Sequence, residues 1–133
     1  MNDFSIDAKA VIADLGSACK LASPNETIRF KIGTPGYIAP EILSGEQYSY
    51  PCDIWSLGCL LHVLLTATPP FWDDDSKERN RKVCYDSLNL ADNQYACQLS
   101  DQCKEFLEFL LTKDQYQRPS ITQVLNHAWI WAN

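Results

Sequence analysis

Hydrophobic and polar positions along this chain fall into three regimes. The first is short. Ala10-Val11-Ile12-Ala13 is an apolar, β-friendly run closed by the turn signal Asp14-Leu15-Gly16, and it predicts one short strand. The second, from Ser17 to Lys31, is polar and aperiodic with Pro24-Asn25 near its middle. It predicts an exposed loop of a length that tends to carry function. The third begins at Pro40 and is helical. A helix over Glu41 to Ser44 is predicted to stop at Gly45. From Asp53 to Leu65 nearly every position is apolar (Ile54, Trp55, Leu57, Cys59, Leu60, Leu61, Val63, Leu64), the pattern of a central helix surrounded on every side. Pro69-Pro70 ends it. Ser76 to Leu88 is charged and predicts a surface helix.

Two further helices follow. Ser100 is a suitable N-cap for a segment whose apolar positions Cys103, Phe106, Leu107, Leu110 and Leu111 keep a one-sided helical spacing. Ser120-Ile121-Thr122-Gln123 has the form of a capping box and opens a final helix through Val124, Leu125 and Ala128. The predicted fold class is mainly α: one short strand or hairpin at the N-terminus, a long loop, and about five helices around a buried central one.

Composition narrows the function classes. With 133 residues, 46% hydrophobic and 21% charged, the chain is one globular unit's worth of sequence. Its formal charge of −6 argues against the clustered cationic face that nucleic acid requires. The longest apolar run, Ile54 to Leu65, is interrupted by Ser56 and His62 and is too short to span a bilayer, so no membrane role is expected. The first residues show neither a basic region nor a long apolar core of a secretory signal. Six cysteines without a C-x-x-C pair read as reduced thiols of a cytoplasmic protein. His62 and His127 lack ligand partners at metal-binding spacing and read as packing or capping residues.

Motifs carry the functional reading. Ile12-Ala13-Asp14-Leu15-Gly16 places an acid on a turn after an apolar run; alone, Asp-x-Gly reads first as a turn. Further along stands Gly33-Thr34-Pro35-Gly36-Tyr37-Ile38-Ala39-Pro40-Glu41. Asp53-Ile54-Trp55-Ser56-Leu57-Gly58, Pro69-Pro70-Phe71, Gln117-Arg118-Pro119-Ser120 and His127-Ala128-Trp129-Ile130 follow in order. From Ala10 to Ile130 this series resembles the C-terminal lobe of a eukaryotic-type Ser/Thr protein kinase catalytic domain. Gly-Thr-Pro-Gly-Tyr and Thr-x-x-Pro-Pro-Phe are closest to the calcium/calmodulin-dependent group.

The resemblance implies a truncated helical C-lobe of the protein-kinase-like α+β fold and assigns roles by position. Asp14 matches the aspartate that chelates the Mg²⁺ bridging the ATP phosphates. Gly33, Thr34, Pro35, Gly36 and Tyr37 match the activation and substrate loop, which shapes the pocket for the residue after the acceptor. Thr34 would hydrogen-bond the catalytic aspartate and its neighbouring lysine. Asp53 matches the acid that supports the backbone of the catalytic loop. Glu41 and Arg118 match a buried structural ion pair and are expected to touch.

Other parts of the pattern do not occur in this sequence: the G-x-G-x-x-G loop, the V-A-I-K lysine, its partner Glu and the H-R-D-x-K-x-x-N loop. The expectation is therefore a partial kinase domain over residues 1–133 without N-lobe and catalytic loop. Met1 would then be an internal methionine, with Met1-Asn2-Asp3 at the end of a severed hairpin. Mg and ATP would bind the complete parent domain and would not bind tightly to this chain, which by itself would transfer no phosphate. The alternative is a non-catalytic, kinase-derived interaction module. The partner would be a protein substrate, or a protein covering the former inter-lobe face around Val11, Ile12 and Leu15. Leu15 stands where the family has Phe. Phe30 occupies the position of a commonly phosphorylated Thr, leaving Ser23 and Thr27 as candidate phosphorylation sites. Val63 stands where some Arg-directed kinases carry a substrate-reading Glu, so no basic preference is implied.

Overall fold

The computed structural model of the chain describes residues 10–23 and 25–131. Six α-helices make up its body: α1 (Pro40–Ser44), α2 (Pro51–Thr66), α3 (Ser76–Tyr85), α4 (Asp101–Leu110), α5 (Ile121–Leu125) and α6 (Ala128–Trp131). Single 3₁₀ turns occur at Leu15–Ser17 and Ala96–Gln98. The mainly helical class expected from the sequence is what the chain adopts.

Local chemistry explains the helix boundaries. Pro40 and Pro51 sit in the first turns of α1 and α2, where a missing N–H costs nothing. Gly45 closes α1 at φ +73°. The Asp75 carboxylate accepts from Lys77 N and Glu78 N at the start of α3, and Ser100 Oγ accepts from Cys103 N at the start of α4. Ser120 and Gln123 form both halves of a capping box on α5.

The interior lies on two sides of α2. Trp55 and Cys59 pack with Ala39, Tyr48, Val83 and Leu111, whereas Ile54 packs with Phe106, Leu110 and Val124. Helix α4 crosses α2 at Gly58, where a Cβ would lie 2.9 Å from Leu110 Cβ. Only a residue without a side chain allows that approach.

Four expectations need correction. Ala10–Ala13 is not a strand: Val11 and Ile12 are 82% and 89% exposed, and the one β-bridge among the described residues joins Ile28 to Tyr48. A strand needs a ladder partner, and no described segment supplies one. The expected hairpin at Met1-Asn2-Asp3 lies outside the described residues. Helix α2 is not surrounded, because α4 and the loops around α1 cover only part of its circumference. Leu57, Leu60 and Leu64 form an exposed stripe, Leu64 at 74%. Helix α3 ends at Tyr85 instead of Leu88. The final helix is two, because His127 Nδ1 accepts from Trp129 N at 3.2 Å and caps α6 separately. The His127 ring also packs on Phe106 and Phe109, at centroid distances of 4.7 and 5.3 Å.

His62 closes the other end of α2. Its buried Nδ1 donates to Thr68 O at 2.7 Å, and Thr66 Oγ1 lies 3.0 Å away. Asn93 extends the network by donating to Thr66 O and Thr68 Oγ1. Burial holds the imidazole below its usual pKa, against the smaller opposing effect of the Thr68 carbonyl. A base whose folded pKa is depressed binds fewer protons folded than unfolded. Its contribution to stability is therefore complete above the unfolded value of about 6.5 and is lost as pH falls through the folded pKa. Unfolding midpoints measured between neutral and mildly acidic pH should fall more steeply for the parent chain than for His62→Gln. Equal slopes would refute the assignment.

Candidate functional site

The segment that carries the motifs is fastened to the helices unevenly. Asp14 adopts a left-handed conformation (φ +57°, ψ +70°), which Asp tolerates better than most residues, and Gly16 N donates to its Oδ1 at 3.4 Å. Its carboxylate is exposed on the turn. Between Cys19 and Glu26 every hydrogen bond among the described residues stays within the loop, including that from Ala22 N to the Glu26 carboxylate. Ser23 lies in this exposed stretch.

From Thr27 onward the loop is held. Ile28 and Tyr48 exchange backbone hydrogen bonds of 2.9 and 3.0 Å, and Thr27 Oγ1 donates to Gln47 Oε1 at 3.3 Å. Arg29 Nε donates to Gly45 O at 2.7 Å, and Tyr48 Oη to Phe30 O at 2.9 Å. Thr27 is therefore exposed but tethered, while Phe30 projects outward at 71% exposure.

The Gly33–Tyr37 stretch is shaped by its turn residues. Tyr37 N donates to Thr34 O at 3.1 Å across Pro35 and Gly36, and Gly36 has φ +91°, the type II pattern. Gly36 also meets a neighbour: a Cβ there would lie 3.3 Å from Trp72 Cζ3. Ser56 Oγ of α2 donates to Tyr37 O at 2.9 Å and fixes the turn to the central helix. An open groove of about 470 Å³ lies between this loop and the first turns of α2, and both Thr34 and Asp53 line it. Asp14 does not line that groove. Asp53 is exposed, and the one hydrogen-bond partner of its carboxylate among the described residues is the Cys52 thiol at 3.8 Å.

Glu41 and Arg118 meet deep in the fold. Arg118 Nη1 and Nη2 donate to Glu41 Oε1 and Oε2 at 2.7 and 2.9 Å, with the side chains 0% and 3% exposed. The remaining donors are used as well: Nε to Thr112 O at 2.8 Å, Nη1 to Pro51 O at 2.9 Å and Nη2 to Lys113 O at 3.0 Å. Every N–H of the guanidinium thus has an acceptor. The Trp55 ring lies under it, 5.2 Å from Cζ to centroid.

Beside this pair, Lys113 Nζ lies 3.4 Å from the Phe71 ring centroid and donates to Lys82 O and Val83 O at the end of α3. Burial pushes its pKa down to about 8. The six thiols are unpaired. Burial pushes both Cys52 and Cys59 up to about 12, so neither offers a thiolate nucleophile at neutral pH.

Sequence reasoning passed over Ser56, Trp72 and Lys113. Ser56 carried a signal, a hydroxyl on an otherwise apolar helix face. Trp72 and Lys113 carried none, because their roles depend on neighbours brought in from distant segments.

A family model described as Protein kinase domain matches residues 4–130, and the chain belongs to that family. It is similar to "Serine/threonine-protein kinase PLK4" of Drosophila grimshawi, 37% identical over 96% of this chain and 16% of that protein. It is likewise similar to "CaM kinase-like vesicle-associated protein" of Danio rerio, 35% identical over 95% of this chain and 30% of the relative. A third relative is "Myosin light chain kinase 2, skeletal/cardiac muscle" of Mus musculus, 36% identical over 90% of this chain and 19% of that protein. The chain spans less than a third of the length of each. Two kinases of different names and a kinase-like protein match almost equally well, so the likeness lies in what the three share.

Proposed function

We propose that this chain is the helical, substrate-binding portion of a Ser/Thr protein kinase catalytic domain that uses Mg-ATP, and that alone it transfers no phosphate. The observation that carries the reading is the Gly33–Glu41 segment. Its turn is bonded to α2 through Ser56 and its end is anchored through Glu41 to Arg118. A surface loop held this way presents a fixed edge to an extended peptide while leaving Thr34 exposed beside the groove. Thr27, bonded to Gln47, and Ser23 are the candidate phosphorylation sites on the same loop.

The residues present suit Mg²⁺ in part. Asp14 offers a hard oxygen ligand on an exposed turn, and no cluster of three metal-binding side chains occurs among the described residues. One carboxylate suits Mg²⁺ when phosphate oxygens and water complete the octahedron. When bound, the ion neutralises charge on the transferring phosphoryl group. Within this reading Asp14 holds the ion and Asp53 accepts hydrogen bonds from the loop bearing the catalytic base. Thr34 orients that base, and the Thr34–Tyr37 turn receives the substrate. Abstraction of the acceptor proton falls to an aspartate whose motif this sequence does not contain, hence the proposed inactivity of the chain alone. The unpaired cysteines support an intracellular, cytoplasmic setting.

A chimera tests this. The Gly-rich loop through the catalytic loop of the 37%-identical relative, joined ahead of this chain, should phosphorylate a Ser/Thr protein with Mg-ATP. Asp14→Asn should reduce that rate by at least about 100-fold. A folded chimera without activity, or activity from the isolated chain, would sink the proposal. The exposed Leu57–Leu60–Leu64 stripe favours a second reading, an interaction module whose partner covers it. That reading gains if the folded chimera stays inert.

A further inference from the structure

Two arginines of this chain are drawn into its packing, and they are satisfied very differently. Arg118 has an acceptor for each N–H. Arg79 has one side-chain hydrogen bond, from Nη1 to Asp73 O at 2.9 Å. Its Nε is buried without a partner among the described residues, and no carboxylate there lies within ion-pair distance of it. Nε is closed to an incoming group, whereas Nη2 is not buried and, like the second N–H of Nη1, still lacks an acceptor among the described residues.

Neighbouring acids do not supply one, because nearly all are committed elsewhere. Asp73 pairs with Lys82 at 2.9 Å and accepts from Asp75 N. Asp75 caps α3, while Glu78 and Asp86 both pair with Arg81 at 2.8 Å. Asp74 is exposed to solvent. What holds Arg79 is aromatic: its Cζ lies 4.9 Å from the Trp72 ring centroid. Trp72 is itself 46% exposed, and its Cζ3 edge meets Gly36, the inner residue of the Thr34–Tyr37 turn. Guanidinium, indole and turn therefore form one continuous surface.

We infer that Arg79, braced on Trp72, is a specificity-determining residue that binds an acidic side chain of the protein substrate next to the Thr34–Tyr37 turn. This rests on the kinase reading above and adds a substrate class to it. A carboxylate fits because it offers two acceptors to a planar fork with unused donors, the arrangement that already satisfies Arg118. Arg81 and Lys82, two and three residues further on, are neutralised by their own partners and do not compete for it.

The test uses the chimera described above with Ser peptides in which a single Glu is moved one position at a time along both flanks of the acceptor. Each is compared with Ala at the same position. At one position the ratio of kcat/KM, Glu over Ala, should reach about 10 or more. The ratio should fall to about 1 in Arg79→Met, recover in part in Arg79→Lys, and persist in Arg81→Met, whose guanidinium is already paired. Arg79→Glu should favour Lys at that position. An active chimera whose preference for Glu is absent, or survives in Arg79→Met, overturns this proposal alone. A folded chimera that phosphorylates no peptide overturns the kinase reading and this proposal with it.

Discussion

Replacing Arg118 by Met should lower the unfolding free energy by about 3–5 kcal/mol, because Glu41 is left buried and unpaired. Domains of this size are stable by about 5–15 kcal/mol, so the variant should sit near the edge of folding. Denaturant titration should show an earlier midpoint with an unchanged slope. Arg118→Lys should rescue little: an ammonium has three donors and no planar fork, and this site presents five acceptors. The double replacement Glu41→Leu with Arg118→Met is more discriminating. A buried ion pair exchanged for apolar residues is often neutral. Here, however, Pro51, Thr112 and Lys113 would also lose the donor to their carbonyls. The double variant should remain destabilised by about 2 kcal/mol or more. A double variant as stable as the parent would show that these backbone contacts contribute nothing.

Trp55→Ala should be comparably severe, costing about 3–5 kcal/mol through lost burial and the cavity left behind. Trp55 is fully buried and lies against Phe71 at a centroid distance of 5.8 Å, with an interplanar angle of 14°. The guanidinium of Arg118 and the ammonium of Lys113 both approach its ring, at 5.2 and 5.1 Å. The indole Nε1, by contrast, has no hydrogen-bond partner among the described residues. Trp55→Phe removes that orphan donor and keeps most of the ring, so it should cost under about 1.5 kcal/mol. The comparison of the two variants by thermal or denaturant unfolding separates packing from hydrogen bonding. A Phe variant as damaged as the Ala variant would contradict the account.

Much of the helical framework was legible because its signals are local. The Asp75, Ser100 and Ser120 caps and the Gly45 stop lie within a few residues of the backbone groups they serve. The errors arose where local signals are insufficient. Val11 and Ile12 have strand-forming side chains, but a strand exists only when another segment completes its ladder. The apolar circumference of α2 states what the helix is able to bury, whereas the described elements cover only part of it. His127 does cap and pack, as its residue type suggested, but that its cap splits the final helix in two depends on where its ring sits against Phe106 and Phe109.

The site divides along the same line. From sequence alone came the family resemblance, the turn-forming order Thr34-Pro35-Gly36-Tyr37 and the identity of Glu41 and Arg118 as a pair to look for. Residue type and short spacing are enough for these, since backbone preference and motif order are written locally. Tertiary structure alone decided that every N–H of Arg118 is satisfied, that Ser56 fastens the Thr34–Tyr37 turn, and that Arg79 rests on Trp72 with donors unused. These depend on which surfaces meet once α2 is packed against its neighbours. No spacing along the chain encodes whether a charged side chain, brought into the interior by folding, will find its acceptors already there.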